Sequence, residues 1–247
     1  MNGDNNMKII SNIPQAAKAI YALKWFSRND KAIKAARAKG DFEEERKWIL
    51  KSTSDWGKNL CRLLGITYEV EGYENIPDEG PVVFMGNHQG YADILVLCAV
   101  LDKFQFGFVA KEELGKIPKY GDAILGIRSV LMNRGDARDS VKSILEGIQY
   151  IKDGFSLCIF PEGTRSKGGP MIEFHKGSFK LATKPQVPII PITINGSYKV
   201  FEESGVIRPA NIRITIHPAV PTAGLSREEQ NRLSEKVEAI VRSALEE

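Results

Sequence analysis

The chain has 247 residues, enough for one large domain or two small ones. Hydrophobic residues make up 43% and charged residues 26%, which excludes extensive disorder, and the net charge is only +3. Three widely spaced cysteines in apolar surroundings form no metal-ligand pattern and exclude a disulfide framework, so they are predicted to be reduced core residues of a cytoplasmic protein.

The first 64 residues predict helices only, with breaks near Asn29–Asp30 and Gly40–Asp41. Between residues 8 and 39, eight basic residues and one acid give +7, so the rest of the chain sums to −4. The first helix has an apolar arc and an opposite arc with cations, Tyr21 and Trp25, a pattern typical of membrane surfaces. The apolar arc comprises Ile13, Ala16, Ala19, Ile20, Leu23 and Phe26; the cations are Lys18, Lys24 and Arg28. Because no apolar run reaches about 18 residues, residues 1–64 are predicted to be a membrane-docking motif that does not cross the bilayer. A helix that caps the core is the alternative.

Residues 65–247 alternate short apolar strands with helices. The predicted strands are Ile66–Glu71, Val82–Met85, Phe106–Val109, Ser129–Met132, Ser156–Phe160, Ile189–Ile194 and Ile212–Ile216. The predicted helices are Tyr91–Asp102, Lys119–Leu125, Asp136–Ile151, Lys176–Thr183 and Ser226–Leu245. This alternation predicts an α/β domain: a central mixed, largely parallel sheet of about seven strands covered by helices, preceded by the helical motif.

The sharpest local signal is the segment Asn87–Asp93, which reads Asn-His-Gln-Gly-Tyr-Ala-Asp directly after a predicted strand. On a continuous helix, residues five apart point about 140° away from each other, so His88 and Asp93 could not meet. Gly90 permits a turn, and a helix that begins near Tyr91 would present Asp93 in its first turn. There the carboxylate would accept from one imidazole nitrogen and leave the other free to take a proton. The segment predicts a general base with its orienting acid; an ordinary loop histidine beside a helix-starting aspartate is the alternative.

Cations follow three further predicted strands. The segment Phe160–Ser166 reads Phe-Pro-Glu-Gly-Thr-Arg-Ser, which offers backbone N–H groups at a tight turn and the guanidinium of Arg165. Lys111 follows a second strand and Arg134 a third. Since active groups gather at the carboxyl ends of strands in open α/β sheets, these cations predict a phosphate site beside His88. A surface turn with an exposed arginine is the alternative for the segment at 160–166.

These segments together resemble the glycerolipid acyltransferase family, and within it the bacterial 1-acylglycerol-3-phosphate (lysophosphatidate) acyltransferases. The resemblance covers about residues 71–219. Four blocks carry it in order: Asn87–Asp93, Gly126–Arg134, Phe160–Ser166 and Val187–Ile192. A further segment, Phe174–Gly177, resembles the family's Phe-Lys-x-Gly, with His175 where lysine is commoner.

The resemblance implies an enzyme that moves a fatty acyl group from a thioester to the sn-2 hydroxyl of 1-acylglycerol 3-phosphate, giving phosphatidic acid for phospholipid biosynthesis. Residues 65–247 would then be the catalytic domain. His88 would deprotonate the hydroxyl, Asp93 would orient the imidazole, and the hydroxyl would attack the thioester directly. No acyl-enzyme, cofactor or metal is expected.

The same resemblance assigns the acceptor's phosphate to the strand-end cations and the turn beside them. The implied phosphate-binding residues are Lys111, Arg134, Glu162, Gly163, Thr164 and Arg165. Glu162 would order the loop by pairing with a nearby arginine. The implied partners are lysophosphatidate, acyl-coenzyme A or acyl carrier protein as donor, and a phospholipid surface. The implied location is the cytoplasmic side of the cell (inner) membrane, with peripheral or monotopic attachment.

Two alternatives stay open at this point, and a third is excluded. Within the same class, the acceptor could be glycerol 3-phosphate or another lysophospholipid. In a different class, the chain could be a non-catalytic membrane protein that binds anionic lipids, which would need the cations but neither His88 nor Asp93. A nucleic-acid binder is excluded, because the cations lie among aliphatic residues and no groove-reading motif is present.

Overall fold

The computed structural model describes residues 2–133 and 135–246, and its centre is a seven-stranded sheet. The strands are β1 (Thr67–Glu71), β2 (Val83–Gly86), β3 (Phe106–Lys111), β4 (Val130–Met132), β5 (Ser156–Ile159), β6 (Ile189–Asn195) and β7 (Asn211–Ile216). Their order across the sheet is β1-β7-β6-β2-β5-β3-β4. β6 and β7 run antiparallel and the other neighbouring pairs are parallel. All seven predicted strands are confirmed to within two residues at each end, as is the mixed, largely parallel sheet.

Three helices precede the sheet and five follow its strands. They are α1 (Asn2–Ser27), α2 (Asp30–Lys39), α3 (Phe42–Leu64), α4 (Ala92–Val100), α5 (Tyr120–Gly126), α6 (Ala137–Lys152), α7 (Lys180–Thr183) and α8 (Arg227–Arg242). Both predicted breaks in the N-terminal segment are confirmed. Gly40 ends α2 at φ 70°, and the Asp41 side chain accepts from the Glu44 N–H to begin α3. The predicted helix at 176–183 is divided into a 3₁₀ turn, Lys176–Phe179, and the short α7.

The sheet is covered on both faces because consecutive strand residues point to opposite sides. In β2, the side chain of Phe84 packs with α1 to α4, whereas Val83 and Met85 pack with α6 to α8. The helices α3 and α4 approach very closely at Gly57, where an added Cβ would lie 2.6 Å from the backbone nitrogen of Ala99. Thus α3 belongs to the core that supports α4, while the division into residues 1–64 and 65–247 stays a prediction.

The predicted apolar arc of the N-terminal helix α1 is divided between the body and the surface. Ala22 and Phe26 are buried, but Ile13 and Ile20 are exposed. The reason is polar: the Asn12 amide donates to the Gly205 carbonyl at 2.8 Å and accepts from the Ile207 N–H at 2.9 Å. The Lys18 ammonium donates to the Leu63 carbonyl at 2.9 Å. These bonds place polar residues of α1 against the body, and membrane docking by this helix stays a prediction. The exposed apolar side chains of α1 are Ile9, Ile10, Ile13, Ile20 and Tyr21.

None of the described helices combines the length and the apolar content that a bilayer span requires.

Candidate active site

His88 and Asp93 meet at the carboxyl end of β2. The chain leaves the strand at Gly86, turns through Gly90, and begins α4 at Ala92, which puts Asp93 in the first helical turn. The His88 Nδ1 atom lies 2.6 Å from the Asp93 Oδ2 atom, and the aspartate side chain is fully buried. The predicted contact between residues five apart is therefore confirmed, together with the turn that makes it possible.

The surroundings of Asp93 determine which imidazole nitrogen carries the proton. The Asp93 Oδ2 atom also accepts from the backbone N–H groups of Gln89, at 2.8 Å, and Gly90, at 3.0 Å. A carboxylate with these donors can only accept, so Nδ1 of a neutral His88 donates to it. Nε2 then has a free lone pair. With 17% of its side chain exposed, His88 can use that lone pair on a proton from a bound substrate.

The plane and the backbone of His88 are fixed from the neighbouring strand end. The Phe160 ring, just after β5, stacks on the imidazole with centroids 4.1 Å apart and an angle of 11°. The His88 carbonyl accepts from the Ser166 N–H at 2.7 Å, and the Gln89 carbonyl accepts from the Lys167 N–H at 3.1 Å. The loops after β2 and β5 are thereby joined into one rigid unit.

Glu162 orders this unit, but not through an arginine as the sequence suggested. It is 2% exposed; its Oε1 accepts from the His88 N–H at 2.5 Å and its Oε2 from the Ile172 N–H at 2.8 Å. Burial raises the pKa of Glu162, while the Ile172 and His88 N–H groups oppose that shift. Both oxygens are engaged inside the loop, which favours a supporting role rather than contact with a phosphate.

Two amide side chains near His88 were missed by the sequence reasoning. The Asn87 amide pairs with β6 at Ile194, accepting from its N–H and donating to its carbonyl, both at 2.8 Å. The Gln89 side-chain oxygen accepts from the Gly196 N–H at 2.8 Å. Only their position beside a histidine at a strand end could have signalled this role, because β6 lies about a hundred residues later in the chain.

Arg165 lies at the same edge of the sheet as His88, as predicted, and two neighbours hold it. Its Nη1 atom is 2.6 Å from Glu202 Oε1, and its guanidinium carbon lies 3.6 Å from the centroid of the Tyr91 ring. Neither Tyr91 nor Glu202 was predicted as a site residue. Glu202 is 37 residues beyond Arg165 in a segment with no chemical motif, so only the fold could reveal this contact.

The other residues predicted to bind the phosphate lie at different distances from His88 and differ in exposure. Lys111 ends β3, two strand positions and therefore roughly 10 Å from β2, and its exposed ammonium is 3.1 Å from Glu113. Gly163 adopts φ 73°, and its N–H closes a turn on the Phe160 carbonyl at 3.1 Å, so that N–H is committed within the turn. Thr164 is exposed at the tip of the turn. Arg134 lies outside the described residues.

A second arginine cluster lies away from His88, at the junction between the N-terminal helices and the sheet. Arg128 contacts Glu45 twice, Nε to Oε1 and Nη2 to Oε2, both at 2.8 Å, and Arg37 contacts the same carboxylate at 2.7 Å. Glu45 is completely buried. Arg37 was counted in the +7 segment of the sequence, but this contact neutralises it against a buried carboxylate, although 34% of its side chain stays exposed.

A largely apolar cavity of about 640 Å³ is bordered by Phe160, the ring that stacks on His88. Its wall includes Phe160 and Gly163, both in the loop that supports His88. Its apolar lining includes Val109, Met132, Ile144, Leu145, Ile148 and Ile159. The structure thus brings His88 and the held guanidinium of Arg165 to one edge of the sheet, with a largely apolar cavity bordered by Phe160.

Known proteins resemble this chain in sequence. Residues 67–195 match the family model described as Acyltransferase. A chloroplastic 1-acyl-sn-glycerol-3-phosphate acyltransferase of Brassica napus is 32% identical over 70% of this chain and 51% of its own length. The 1-acyl-sn-glycerol-3-phosphate acyltransferase of Pseudomonas aeruginosa is 30% identical over 77% of this chain and 76% of its own length.

A solved structure agrees over nearly the whole chain. The crystal structure of the 1-acyl-sn-glycerophosphate (LPA) acyltransferase PlsC from Thermotoga maritima superimposes with a TM-score of 0.71 at 30% identity, covering 93% of this chain and 95% of that chain. The chain spans about half the length of the plant relatives it matches. The matched family model covers half of the sequence, and the chain belongs to the acyltransferase family.

Proposed function

We propose that this protein acylates the sn-2 hydroxyl of 1-acylglycerol 3-phosphate from an acyl thioester, giving phosphatidic acid. The observation that carries the proposal is the 2.6 Å contact between His88 Nδ1 and the buried Asp93, which leaves Nε2 as a base. The curated relatives named 1-acyl-sn-glycerol-3-phosphate acyltransferases support the choice of acceptor.

The chemistry follows from the tautomer. His88 Nε2 takes the proton of the acceptor hydroxyl as its oxygen attacks the thioester carbonyl, and Asp93 stabilises the resulting imidazolium. The C–S bond then breaks, the thiolate leaves and takes the proton from the imidazolium, and the new ester forms. General base catalysis of this kind contributes about 10²–10⁴ in rate.

Direct attack is favoured because the cysteines are poor nucleophiles. Cys98 and Cys158 are buried, and burial raises the pKa of both thiols well above their ordinary range. A thiol without its thiolate form does not attack a thioester efficiently. Neither Cys98 nor Cys158 therefore suits a covalent acyl intermediate, and we propose that the acyl group passes directly to the acceptor.

The substrates' phosphate and acyl groups have suitable places beside the base. Arg165 offers a planar guanidinium fork to the phosphate, with Lys111 as a second cation two strands away. The apolar cavity suits an acyl chain, since burying each CH₂ contributes about 0.8 kcal/mol. Glycerol 3-phosphate as the acceptor would satisfy Arg165 but has no acyl chain to bury.

A phospholipid surface is the proposed location. Lysophosphatidate has one long acyl chain, and its full transfer to water would cost about 0.8 kcal/mol for each CH₂. The exposed face of α1 presents Ile9, Ile10, Ile13 and Ile20, which can insert at the headgroup level. Lys24 lies 3.4 Å from the Tyr21 ring centroid at the border of this face, where an anionic headgroup would meet it. We propose peripheral attachment on the cytoplasmic side.

The catalytic part is tested by acyl transfer with purified variants. His88→Ala should lower kcat by about 10²–10⁴ while lysophosphatidate still binds, and Asp93→Asn should be strongly impaired because it favours the wrong tautomer. His217→Gln is the matched control. His217 follows the end of β7, and because β7 runs antiparallel to β6, this residue lies at the edge of the sheet opposite to His88. Wild-type turnover by His88→Ala would exclude the mechanism.

Paired assays with glycerol 3-phosphate or lysophosphatidate, and with acyl-coenzyme A or acyl-acyl carrier protein, identify the substrates.

The location is tested by co-sedimentation with anionic vesicles. The wild-type protein should pellet with the vesicles at low salt. The triple variant Ile9→Ser, Ile13→Ser, Ile20→Ser should remain folded, since these side chains are exposed, and should stay in the supernatant. Equal sedimentation of both proteins would contradict docking through α1.

A further inference from the structure

Glu202 lies beneath the arginine that faces the substrate, although no motif marks it. It follows β6 and a short 3₁₀ turn, and only 3% of its side chain is exposed. Its Oε1 atom lies 2.6 Å from Arg165 Nη1 and accepts from the Tyr91 N–H at 2.9 Å. We propose that Glu202 is a positioning residue, which orients Arg165 for the acceptor's phosphate and links that arginine to the catalytic loop. This inference rests on the proposed function, in which Arg165 binds the phosphate.

Two contacts from different directions fix the guanidinium of Arg165. Glu202 engages Nη1, and the Tyr91 ring lies against the guanidinium face at 3.6 Å. An arginine has five N–H donors in a rigid plane, so fixing one edge and one face determines where the other donors point. The Arg165 side chain keeps 23% exposure, which leaves donors for a ligand. A guanidinium held in place before binding loses less conformational entropy when the phosphate arrives.

The same carboxylate reaches the loop that carries the base. Tyr91 immediately precedes α4 and stands two residues before Asp93, so its N–H bond to Glu202 fixes the start of that helix. Gly90 provides the space for this approach, because an added Cβ there would lie 2.4 Å from Glu202 Oε2. Glu202 therefore sets the distance between the phosphate-binding guanidinium and His88, which positions the acceptor hydroxyl relative to Nε2.

An opposing effect of the carboxylate must be weighed. Its negative charge repels a phosphate, which would weaken binding of the acceptor. The phosphate, however, would contact Arg165 on the side away from Glu202, so the two anions are separated by the guanidinium. Attraction at contact distance exceeds repulsion at the longer distance, because the interaction falls with separation. Positioning is therefore expected to dominate, and the sign of the change in KM decides the question.

The experiment is a double-mutant cycle between Glu202 and Arg165, with lysophosphatidate and the acyl donor varied separately. Glu202→Ala should raise the KM for lysophosphatidate about tenfold and leave the donor KM unchanged, while Glu202→Asp should recover part of the loss. In an Arg165→Ala background, Glu202→Ala should have little further effect on the acceptor KM. Glu203→Ala, at the exposed neighbouring position, is the matched control and should resemble the wild type.

The outcomes separate this inference from the function on which it rests. If Arg165→Ala leaves the acceptor KM unchanged, the phosphate assignment of Arg165 fails. If Arg165→Ala raises the acceptor KM but Glu202→Ala leaves it unchanged or lowers it, only the positioning role of Glu202 is overturned. If Glu202→Ala raises the KM for both the acceptor and the donor, and still does so in the Arg165→Ala background, Glu202 has only a structural role. That result would also overturn the positioning role. Should Glu202→Ala not fold, Glu202→Gln provides the same readout with the side chain's shape retained.

Discussion

Two arginine–glutamate clusters in this molecule use the same side chains for different purposes. At the junction of the N-terminal helices with the sheet, Arg128 commits both Nε and Nη2 to Glu45. At the edge of the sheet that holds His88, which we call the catalytic edge, Arg165 commits only Nη1 to Glu202. The exposed fractions of the two arginine side chains are similar, 15% and 23%. Accessibility therefore does not distinguish them; the number of donors left for a ligand does.

Aromatic rings reinforce this difference. The Arg128 guanidinium carbon lies 4.7 Å from the Phe155 ring centroid, 5.3 Å from that of Tyr150 and 5.7 Å from that of Phe42. Arg165 has Tyr91 on one face. An arginine enclosed by rings and a bidentate carboxylate stabilises the fold, whereas one held at a single edge can also bind a substrate. The lesson is that an arginine in a family block needs its donors counted before a role is assigned.

The largest expected effect comes from breaking the junction cluster. Glu45→Ala leaves Arg37 and Arg128 without their shared, fully buried partner, so the free energy of unfolding should fall by about 3–5 kcal/mol. Urea denaturation of the two proteins measures the change. Glu43→Ala on the same helix is the control, because its pair with Lys47 is exposed and its loss should have no measurable effect. A stability equal to the wild type would show that the junction cluster does not stabilise the fold.

Breaking the catalytic-edge cluster should instead change substrate binding. Arg165→Ala should raise the KM for lysophosphatidate about 10- to 100-fold, the equivalent of one hydrogen bond between charged groups, with a much smaller change for the donor. Arg165→Lys should recover only part of the loss, because an ammonium cannot reproduce the fork. Arg232→Ala removes an arginine from an exposed pair on α8 and serves as the control. Equal changes for acceptor and donor would assign Arg165 to the fold, like Arg128.

The close packing of α3 against α4 at Gly57 tests how much the N-terminal helices support the helix that carries Asp93. Gly57→Ala places a methyl group against backbone atoms of Cys98 and Ala99 in α4, the helix that carries Asp93. Overpacking against backbone atoms should cost about 3 kcal/mol, the upper end of the usual range, and the gain in helix propensity returns about 1, so the free energy of unfolding should fall by about 2 kcal/mol. Gly126→Ala is the control, since nothing lies within 4 Å of an added Cβ there. If both variants were equally stable, the close approach of α3 to α4 would not limit the fold.

The smallest expected effect concerns a carboxylate that has backbone N–H groups as partners. Because burial raises the pKa of Glu162 above its ordinary 4.5, the folded protein binds this proton more tightly than the unfolded chain. The resulting stabilisation is present below pH 4.5 and is lost as the pH rises through the raised pKa. The free energy of unfolding of the wild type, relative to Glu162→Gln, should therefore fall from pH 4.5 towards neutrality. Urea titrations across that range measure it, and a difference independent of pH would contradict the raised pKa.

Much of the fold followed from local patterns. The strand at Val83–Gly86 and its neighbours were predicted because short, mainly apolar segments between helices are typical of strands buried on both faces. The orientation of α1 was not predictable in the same way. The face of α1 that meets the body depended on the hydrogen bonds of Asn12 to Gly205 and Ile207, nearly two hundred residues away.

In the active site, too, short-range contacts were predictable and long-range contacts were not. The contact of His88 with Asp93 spans five residues, and a turn at Gly90 followed by a helix start was enough to predict it. The partners of Glu162 and Arg165 were not predictable, because the sequence offers several arginines and glutamates and does not say which of them meet. Burial decided these pairings: a carboxylate taken out of water must find the donors that the neighbouring strands provide.

The sequence by itself therefore determined the succession of strands and helices, the contact of His88 with Asp93, and the gathering of polar groups at the carboxyl ends of strands. These features depend on periodicity, turn residues and short spacings, which act within a few residues. Only the tertiary structure decided that Arg128 is enclosed at the junction, that Arg165 remains open beside His88, and that Glu202 holds it. Such pairings join residues tens of positions apart, and they exist because the folded sheet brings specific donors and acceptors together while excluding water from the alternatives.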